Sequence, residues 1–460
     1  MKMVILGNGI SGITAARFIR KLSGHEIIVV SRETDYFFSR TALMYLYMGH
    51  MRYQDIQPYS HDFWGKNRIQ LLRAEVASID FEKKVLHLNS DFKPGDSSFS
   101  TSETDLGYDR LILALGSTPN KFGWPGQDLK RVQGLYSYQD VLSMESHSNE
   151  IRHAVVVGGG LIGIEMAEMF HSRHIPVTLL VRENSYWDMV LPPEESAMVG
   201  RQIAKHGIDL RLNTELKEIQ GNQKGQAVAV VTNKDERIEC QFVGLTAGVH
   251  PNVRWLKESA LEIDRGILVN SQLQTNLQDV YAIGDCAQLR TPQAGRKAIE
   301  AIWYTGRMMG EVAAHNVCGD AVAYDPGIWF NSAKFLDIEY QVYGEVPVKL
   351  PDHLDSIYWE EDAGERSIRL VFEKVSLCIK GFNLMGIRFR QEICEKWIRE
   401  ETQLESVLED LALASFDPEF FPPYHREVVK IYNKQYNRSL ALKKKRKFDM
   451  VYQFLNRKHG

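Results

Sequence analysis

One pattern occurs twice in this chain and limits what it can fold into: a short apolar run, three glycines spaced G-x-G-x-x-G, and then a helical run. The first copy is Met3-Val4-Ile5-Leu6, then Gly7-Asn8-Gly9-Ile10-Ser11-Gly12, then a helical stretch through Ala15, Ala16, Phe18 and Ile19. Glycine is required at each place for a different reason. Gly7 makes the tight turn, Gly9 lets a pyrophosphate approach bare backbone, and Gly12 lets helix and strand pack closely. The helix start then offers N–H groups to the phosphates. A second strand, Glu26 to Val30, leads into Ser31-Arg32-Glu33, and Glu33 stands where an acid accepts hydrogen bonds from an adenosine ribose.

The second copy is Ala154 to Val157, then Gly158-Gly159-Gly160-Leu161-Ile162-Gly163, a helix beginning at Ile164, and a strand from Val177 to Val181. One such unit is a weak signal; two imply two dinucleotides, and a chain that binds two usually passes a hydride or electrons between them. After each unit a strand ends in small residues, Tyr108 to Pro119 with Ala114 and Gly116, and Val243 to Asn252 with Gly248. Each reads as a return of the chain from one domain to the next. A third strand, Val280-Tyr281-Ala282-Ile283, leads into Gly284-Asp285, where Gly284 permits close approach and Asp285 is suited to a polyol hydroxyl.

Composition narrows the class. The 460 residues are 44% hydrophobic and 25% charged, an ordinary globular balance of two to four domains, and the net charge of -4 argues against nucleic acid as a partner. The five cysteines, Cys240, Cys286, Cys318, Cys378 and Cys394, have no metal or redox-pair spacing and suit a reducing cytoplasm. No stretch is expected to span a bilayer, and the first apolar run is too short for a signal-peptide core.

With these motifs in order over residues 1 to 320, the chain resembles the two-dinucleotide-binding flavoprotein reductases, the pyridine nucleotide-disulfide oxidoreductase family. The resemblance implies an α/β protein: two Rossmann-like, three-layer FAD- and NAD(P)-binding domains and a smaller α+β C-terminal domain. The expected boundaries are 1–121 with 251–325 for FAD, 122–250 for NAD(P), 326–425 for the C-terminal interface domain, and 426–460 for a basic helical tail. It implies FAD contacts from Gly7, Gly9, Gly12 and Glu33, with Asp285 on the ribityl chain, and nicotinamide dinucleotide contacts from Gly158, Gly160 and Gly163.

The chain departs from the family where disulfide reductases and peroxidases carry a redox cysteine. That region reads Tyr36-Phe37-Phe38-Ser39-Arg40-Thr41-Ala42-Leu43-Met44-Tyr45. A thiol relay is therefore not expected, and the likeness is to the cysteine-free branch of ferredoxin and rubredoxin reductases and nitrite reductase flavin modules. There Arg40 would lie by the FAD pyrophosphate, against the alternative of a surface arginine. The branch pairs a lysine near the flavin with a glutamate on the NAD helix. Glu165 matches the glutamate, Tyr45 replaces the lysine, and a desolvated Glu165 without a cation should have a raised pKa. Arg182 tilts the cofactor reading toward NADPH, whereas Glu183 would repel a 2′-phosphate.

The implied activity is hydride transfer from NAD(P)H to FAD and onward transfer to an acidic iron–sulfur carrier of ferredoxin or rubredoxin type. A redox-sensing flavoprotein of the apoptosis-inducing-factor type and a quinone or small-molecule reductase remain as alternatives, and a homodimer stays open. Ser90 to Thr104 reads as a polar loop, and a helix near Ile299 would aim its positive end at the flavin. Trp329 or Phe330 opens the last domain, either reaching the flavin or packing in a core. Lys443-Lys444-Lys445-Arg446-Lys447 reads as a docking patch or a solvated helix face. His171 and His174 share a helix face without a third metal ligand.

Overall fold

The structure is a computed structural model that describes residues 1–93, 95–416 and 424–442. The chain forms two compact units, residues 1–184 with 206–326, and residues 185–205 with 327–460. In the first unit, β1 (Lys2–Leu6), α1 (Ile10–Leu22) and β2 (Glu26–Ser31) form the first glycine unit. They are followed by α2 (Leu43–Tyr47), α3 (His61–Lys66) and β3 (Ile69–Arg73). A small antiparallel sheet comes next, β4 (Val76–Asp80), β5 (Val85–Leu88) and β6 (Asp105–Gly107). β7 (Arg110–Leu113) and β8 (Ser117–Pro119) return the chain.

β9 (Val132–Gln133) and α4 (Tyr138–His147) precede the second glycine unit of β10 (Ala154–Val157), α5 (Leu161–Ser172) and β11 (Val177–Leu180). α6 (Pro193–Lys205) leads to β12 (Asp209–Arg211), and β13 (Leu216–Gly221), β14 (Ala227–Thr232) and β15 (Arg237–Glu239) make an antiparallel flap. The second return is β16 (Phe242–Leu245) and β17 (Val249–Pro251), and β17 pairs antiparallel with β8, so the two returns lie side by side. β18 (Ile267–Val269), β19 (Val280–Ala282), β20 (Ala287–Leu289) and α7 (Trp303–Val317) close the unit.

Two parallel sheets carry the unit, in the orders β19-β7-β1-β2-β3 and β12-β11-β10-β16-β9. They are the same arrangement built twice. The apolar runs that lack alternation, Met3 to Leu6 and Ala154 to Val157, are buried on both faces, as parallel strands with covered faces must be. α1 lies against α7 at close range because a Cβ at Gly310 would stand 2.5 Å from the Ser11 carbonyl oxygen. The loop from Ser90 to Thr104 connects β5 to β6 and is tied down at Phe99, whose ring meets Tyr36 edge-on at 5.4 Å and whose carbonyl accepts the Arg73 N–H.

α7 begins at Trp303, later than the expected Ile299. Glu300 is buried and takes a bidentate ion pair from Arg296, and its carbonyl accepts the Thr305 hydroxyl, which holds this stretch extended until Ile302 caps the helix. Among the described residues no helix is long and apolar enough to cross a membrane, and no cluster of metal-ligating side chains occurs; His171 meets His206 edge-on instead.

The second unit is a five-stranded antiparallel sheet, β21 (Phe330–Phe335), β22 (Ile338–Gly344), β23 (Leu354–Glu360), β24 (Ser367–Glu373) and β25 (Ile379–Met385), in the order β21-β22-β25-β24-β23. Ile357, Phe372, Phe382 and Leu384 pack against α8 (Gln391–Arg399), α9 (Leu404–Asp410) and α10 (His425–Tyr436) through Trp397, Val407, Leu408 and Tyr432. Phe330 stacks on Tyr343 and borders this core. α6 belongs to this unit although its sequence lies between two strands of the second parallel sheet. Its fully buried Glu195 takes both nitrogens of a fork from Arg369, Nε at 2.7 Å and Nη2 at 2.9 Å, and Glu194 takes Nη2 at 2.7 Å. The basic run Lys443 to Lys447 lies outside the described residues.

Candidate active site

The two glycine loops are superposable in their chemistry. Gly7 and Gly158 hold φ of +116° and +124°, where an L side chain is strained, and a Cβ on either would collide with the returning strand end, 2.1 Å from Ala114 O and 2.6 Å from Thr246 O. Gly12 and Gly163 face the carbonyls of Gly7 and Gly158, where a Cβ would stand 2.0 and 2.1 Å away. At Gly9 and Gly160 the opposite holds: nothing lies within 4 Å of an added Cβ. Each is the N-cap of its helix, with no side-chain cap and no acid in the first turn. Open space beside bare backbone at a helix N-terminus fits a pyrophosphate, twice. Asn8, between the glycines of the first loop, is buried and donates to the Thr34 carbonyl at 2.9 Å, tying the loop to the segment after β2.

Around the first loop the expected FAD contacts come together. Gly284 (φ +69°) sits against Ser11 at the start of α1, which brings the Gly-Asp motif to the loop. Asp285 accepts the Ser117 hydroxyl at 2.9 Å, and burial holds its pKa above the usual carboxylate range. Arg40 and Glu33, expected on different parts of the cofactor, form a bidentate ion pair at 3.0 and 2.6 Å. Glu33 also accepts the Tyr138 N–H at 3.0 Å, and Arg40 donates to the Tyr136 carbonyl. Burial works against the Arg40 charge, but Glu33 outweighs it and keeps that pKa above its ordinary value. Arg40 is thus a partly buried group of the first unit, its side chain 30% exposed. Tyr136, Tyr138, Ser117 and Asn8 were not legible as site residues, because their roles depend on partners 19 to 168 positions away. Gly116 (φ +66°) and Gly248 (φ +85°) lie at the two returns, and Asn120 binds the second through the Gly248 and Ala247 carbonyls.

Around the second loop, strand pairing locates the acid. Leu6 pairs with Val30 and Val157 with Leu180, so Glu33 and Glu183 each stand three residues beyond equivalent positions. Counting from the strand end instead lands on Val181, which is buried. Glu183 accepts Arg182 Nε at 2.7 Å, and Arg182 is two-thirds exposed while Glu183 is largely covered. Glu165 lies one turn into α5. Burial, reinforced by the charge of Glu168, pushes its pKa up to about 7, and no cation offsets them among the described residues. Tyr45, at the expected lysine position, stacks loosely on His50.

All five cysteines are unpaired. Cys286, beside Asp285, is fully buried, accepts the Leu115 N–H and is pushed up to about 12, as is Cys240. Neither is a thiolate near neutral pH.

A duplicated parallel fold with two open glycine cradles in one unit defines a two-nucleotide redox protein. The model of the pyridine nucleotide-disulphide oxidoreductase family matches residues 1–310, and the chain belongs to that family. It is 27% identical to an NADH oxidase of Methanocaldococcus jannaschii over 74% of this chain and 75% of that one. It is 26% identical to a rubredoxin-NAD(+) reductase of Ectopseudomonas oleovorans over 69% and 80%. Its fold is similar to that of a ferredoxin reductase for the CYP199A2 system from Rhodopseudomonas palustris, with a TM-score of 0.73, 22% identity, and coverage of 84% and 91%. The chain is an NAD(P)H-dependent flavoprotein oxidoreductase that uses FAD.

Proposed function

We propose that the chain oxidises NADH at the second loop, holds FAD at the first, and delivers electrons to a small iron–sulfur protein with no thiol between them. When bound, FAD supplies a ring that accepts a hydride and releases electrons one at a time. The chain's own residues bind and orient. Gly7, Gly9, Gly12 and the start of α1 take the FAD pyrophosphate, with Arg40 adding positive charge. Glu33 takes the adenosine ribose, and Ala114, Gly116, Gly284 and Asp285 border the ribityl chain. Gly158, Gly160 and Gly163 take the nicotinamide dinucleotide pyrophosphate, and Gly248 lies at the return beside that loop.

The observation that carries this reading is the pair of equivalent open cradles, each followed at the same register by an acid. Because Glu183 stands where Glu33 stands, it is suited to accept from two ribose hydroxyls and to repel a 2′-phosphate, which favours NADH. Arg182 is exposed and engaged by Glu183 itself, so it supports no separate phosphate site. Glu165, one turn into α5, is suited to hold the nicotinamide carboxamide. The absence of a cysteine from Tyr36 to Tyr45 and the inert state of Cys240 and Cys286 argue for direct delivery to a carrier, as the names of the rubredoxin and ferredoxin reductase relatives suggest. Five unpaired thiols suit the cytoplasm.

Anaerobic mixing of the FAD-loaded protein with NADH or NADPH, then with a rubredoxin or a [2Fe–2S] ferredoxin, tests this. The expected result is kcat/KM at least about tenfold higher for NADH and carrier reduction faster than reaction with oxygen. A preference for NADPH refutes the role of Glu183, and oxygen outcompeting every carrier refutes the acceptor.

A further inference from the structure

Tyr136 belongs to no motif, yet it meets Arg40, Ser117 and Gly116 of the first site. It lies three residues beyond β9, the edge strand of the second parallel sheet, and reaches into the flavin half of the unit. Its hydroxyl accepts the Ser117 N–H at 2.7 Å, and Ser117 in turn holds Asp285. Its ring lies under the Arg40 guanidinium, 4.5 Å from centroid to Cζ, and its carbonyl accepts Arg40 Nη1. Two residues on, the Tyr138 N–H meets Glu33. Gly116 admits the phenol: a Cβ there would stand 2.6 Å from Tyr136 Oη. Glu33 and Arg40 share one segment and Asp285 lies far along the chain, and this short stretch bridges the two, to Arg40 and Glu33 directly and to Asp285 through Ser117.

We propose that Tyr136 is a positioning residue that holds Asp285 and Arg40 in register for FAD, so that the segment entering the nicotinamide half sets how tightly the flavin is kept. The proposal rests on the FAD reading of those two residues. A core tyrosine acting through packing alone would lower stability without coupling to either of them. Burial holds the phenol at about 12, so it stays neutral across the working pH range and the arrangement is not a pH switch.

The test is FAD binding to full-length apoprotein, followed by quenching of flavin fluorescence, with the visible circular dichroism of the bound flavin as a second readout. Tyr136→Phe keeps the ring under Arg40 and removes the Ser117 contact; Kd should rise about fivefold. Tyr136→Leu removes both, and Kd should rise about fiftyfold with an altered flavin dichroism at saturation. In Tyr136→Leu with Arg40→Ala, the loss should exceed the larger single loss by no more than about threefold, because the two groups act together. Wild-type Kd in Tyr136→Leu, or losses that multiply in the double variant, would overturn the proposal. If Tyr136→Leu does not fold, the cycle of Tyr136→Phe with Asp285→Asn decides it by the same criterion. Wild-type affinity in both Arg40→Ala and Asp285→Ala would instead refute the underlying site, whereas loss there with none at Tyr136 refutes Tyr136 alone.

Discussion

Glu165→Gln isolates the effect of burying a carboxyl without a cation. In the native protein the group protonates at about 7, against 4.5 for an exposed glutamate. Between those values the folded protein holds a proton that the unfolded chain has released, so stability falls as pH rises from about 4.5 to about 7 and is level above. At 1.36 kcal/mol per pH unit, the 2.5-unit difference is worth about 3 kcal/mol. Glutamine keeps the shape and does not titrate. The variant should match the wild type near pH 4.5 and exceed it by up to about 3 kcal/mol at pH 8.5, measured by urea unfolding of both proteins across that range. The same titration should appear in function, as a change in the wild-type KM for NADH near pH 7 that is absent from the variant. A stability difference that does not vary with pH would show that Glu165 titrates normally and that the argument from burial is wrong.

Asp285→Ala should be purified without flavin, and full FAD occupancy would remove the Gly-Asp motif from the site. Replacing all five cysteines by serine should destabilise the protein, since Cys240, Cys286, Cys378 and Cys394 are buried and a serine hydroxyl there needs a partner. Flavin reduction by NADH should survive in the folded fraction, and its loss would restore a thiol relay. Arg369→Met leaves Glu195 buried and unpaired and should cost about 3–5 kcal/mol in thermal unfolding, much of it recovered by adding Glu195→Leu. No recovery would mean that the pair is not the origin of the loss. Ending the chain after Leu442 removes the basic run while keeping Leu440 and Leu442 on their core. Dye turnover should be unchanged and reduction of an acidic carrier slowed, most at low ionic strength; equal rates across a salt series would make the run a solvated face.

Much of this molecule is legible in its amino-acid sequence. A glycine at a left-handed or crowded turn, an uninterrupted apolar run, and a helix start without a capping side chain are local facts, governed by sterics within a dozen residues. They mark both glycine loops, Glu33 and the Gly-Asp motif along the chain, and the stretch from Tyr36 to Tyr45 that carries no cysteine. Tertiary structure decided what those residues meet. Arg40 pairs with Glu33 within its own segment, and it meets Tyr136 because two segments about a hundred residues apart close on one another. Strand pairing sets Glu183 at the register that Glu33 holds in the first sheet, and it fixes register more surely than counting from a strand end. α6 lies in sequence between two strands of the second sheet, yet among the described residues its buried Glu195 pairs with Arg369, 174 positions on, and it groups with the C-terminal sheet. The proton on Glu165 has the same origin. Its affinity depends on how much water and how much opposite charge surround it, and those are set by chain that is distant in sequence and near in space.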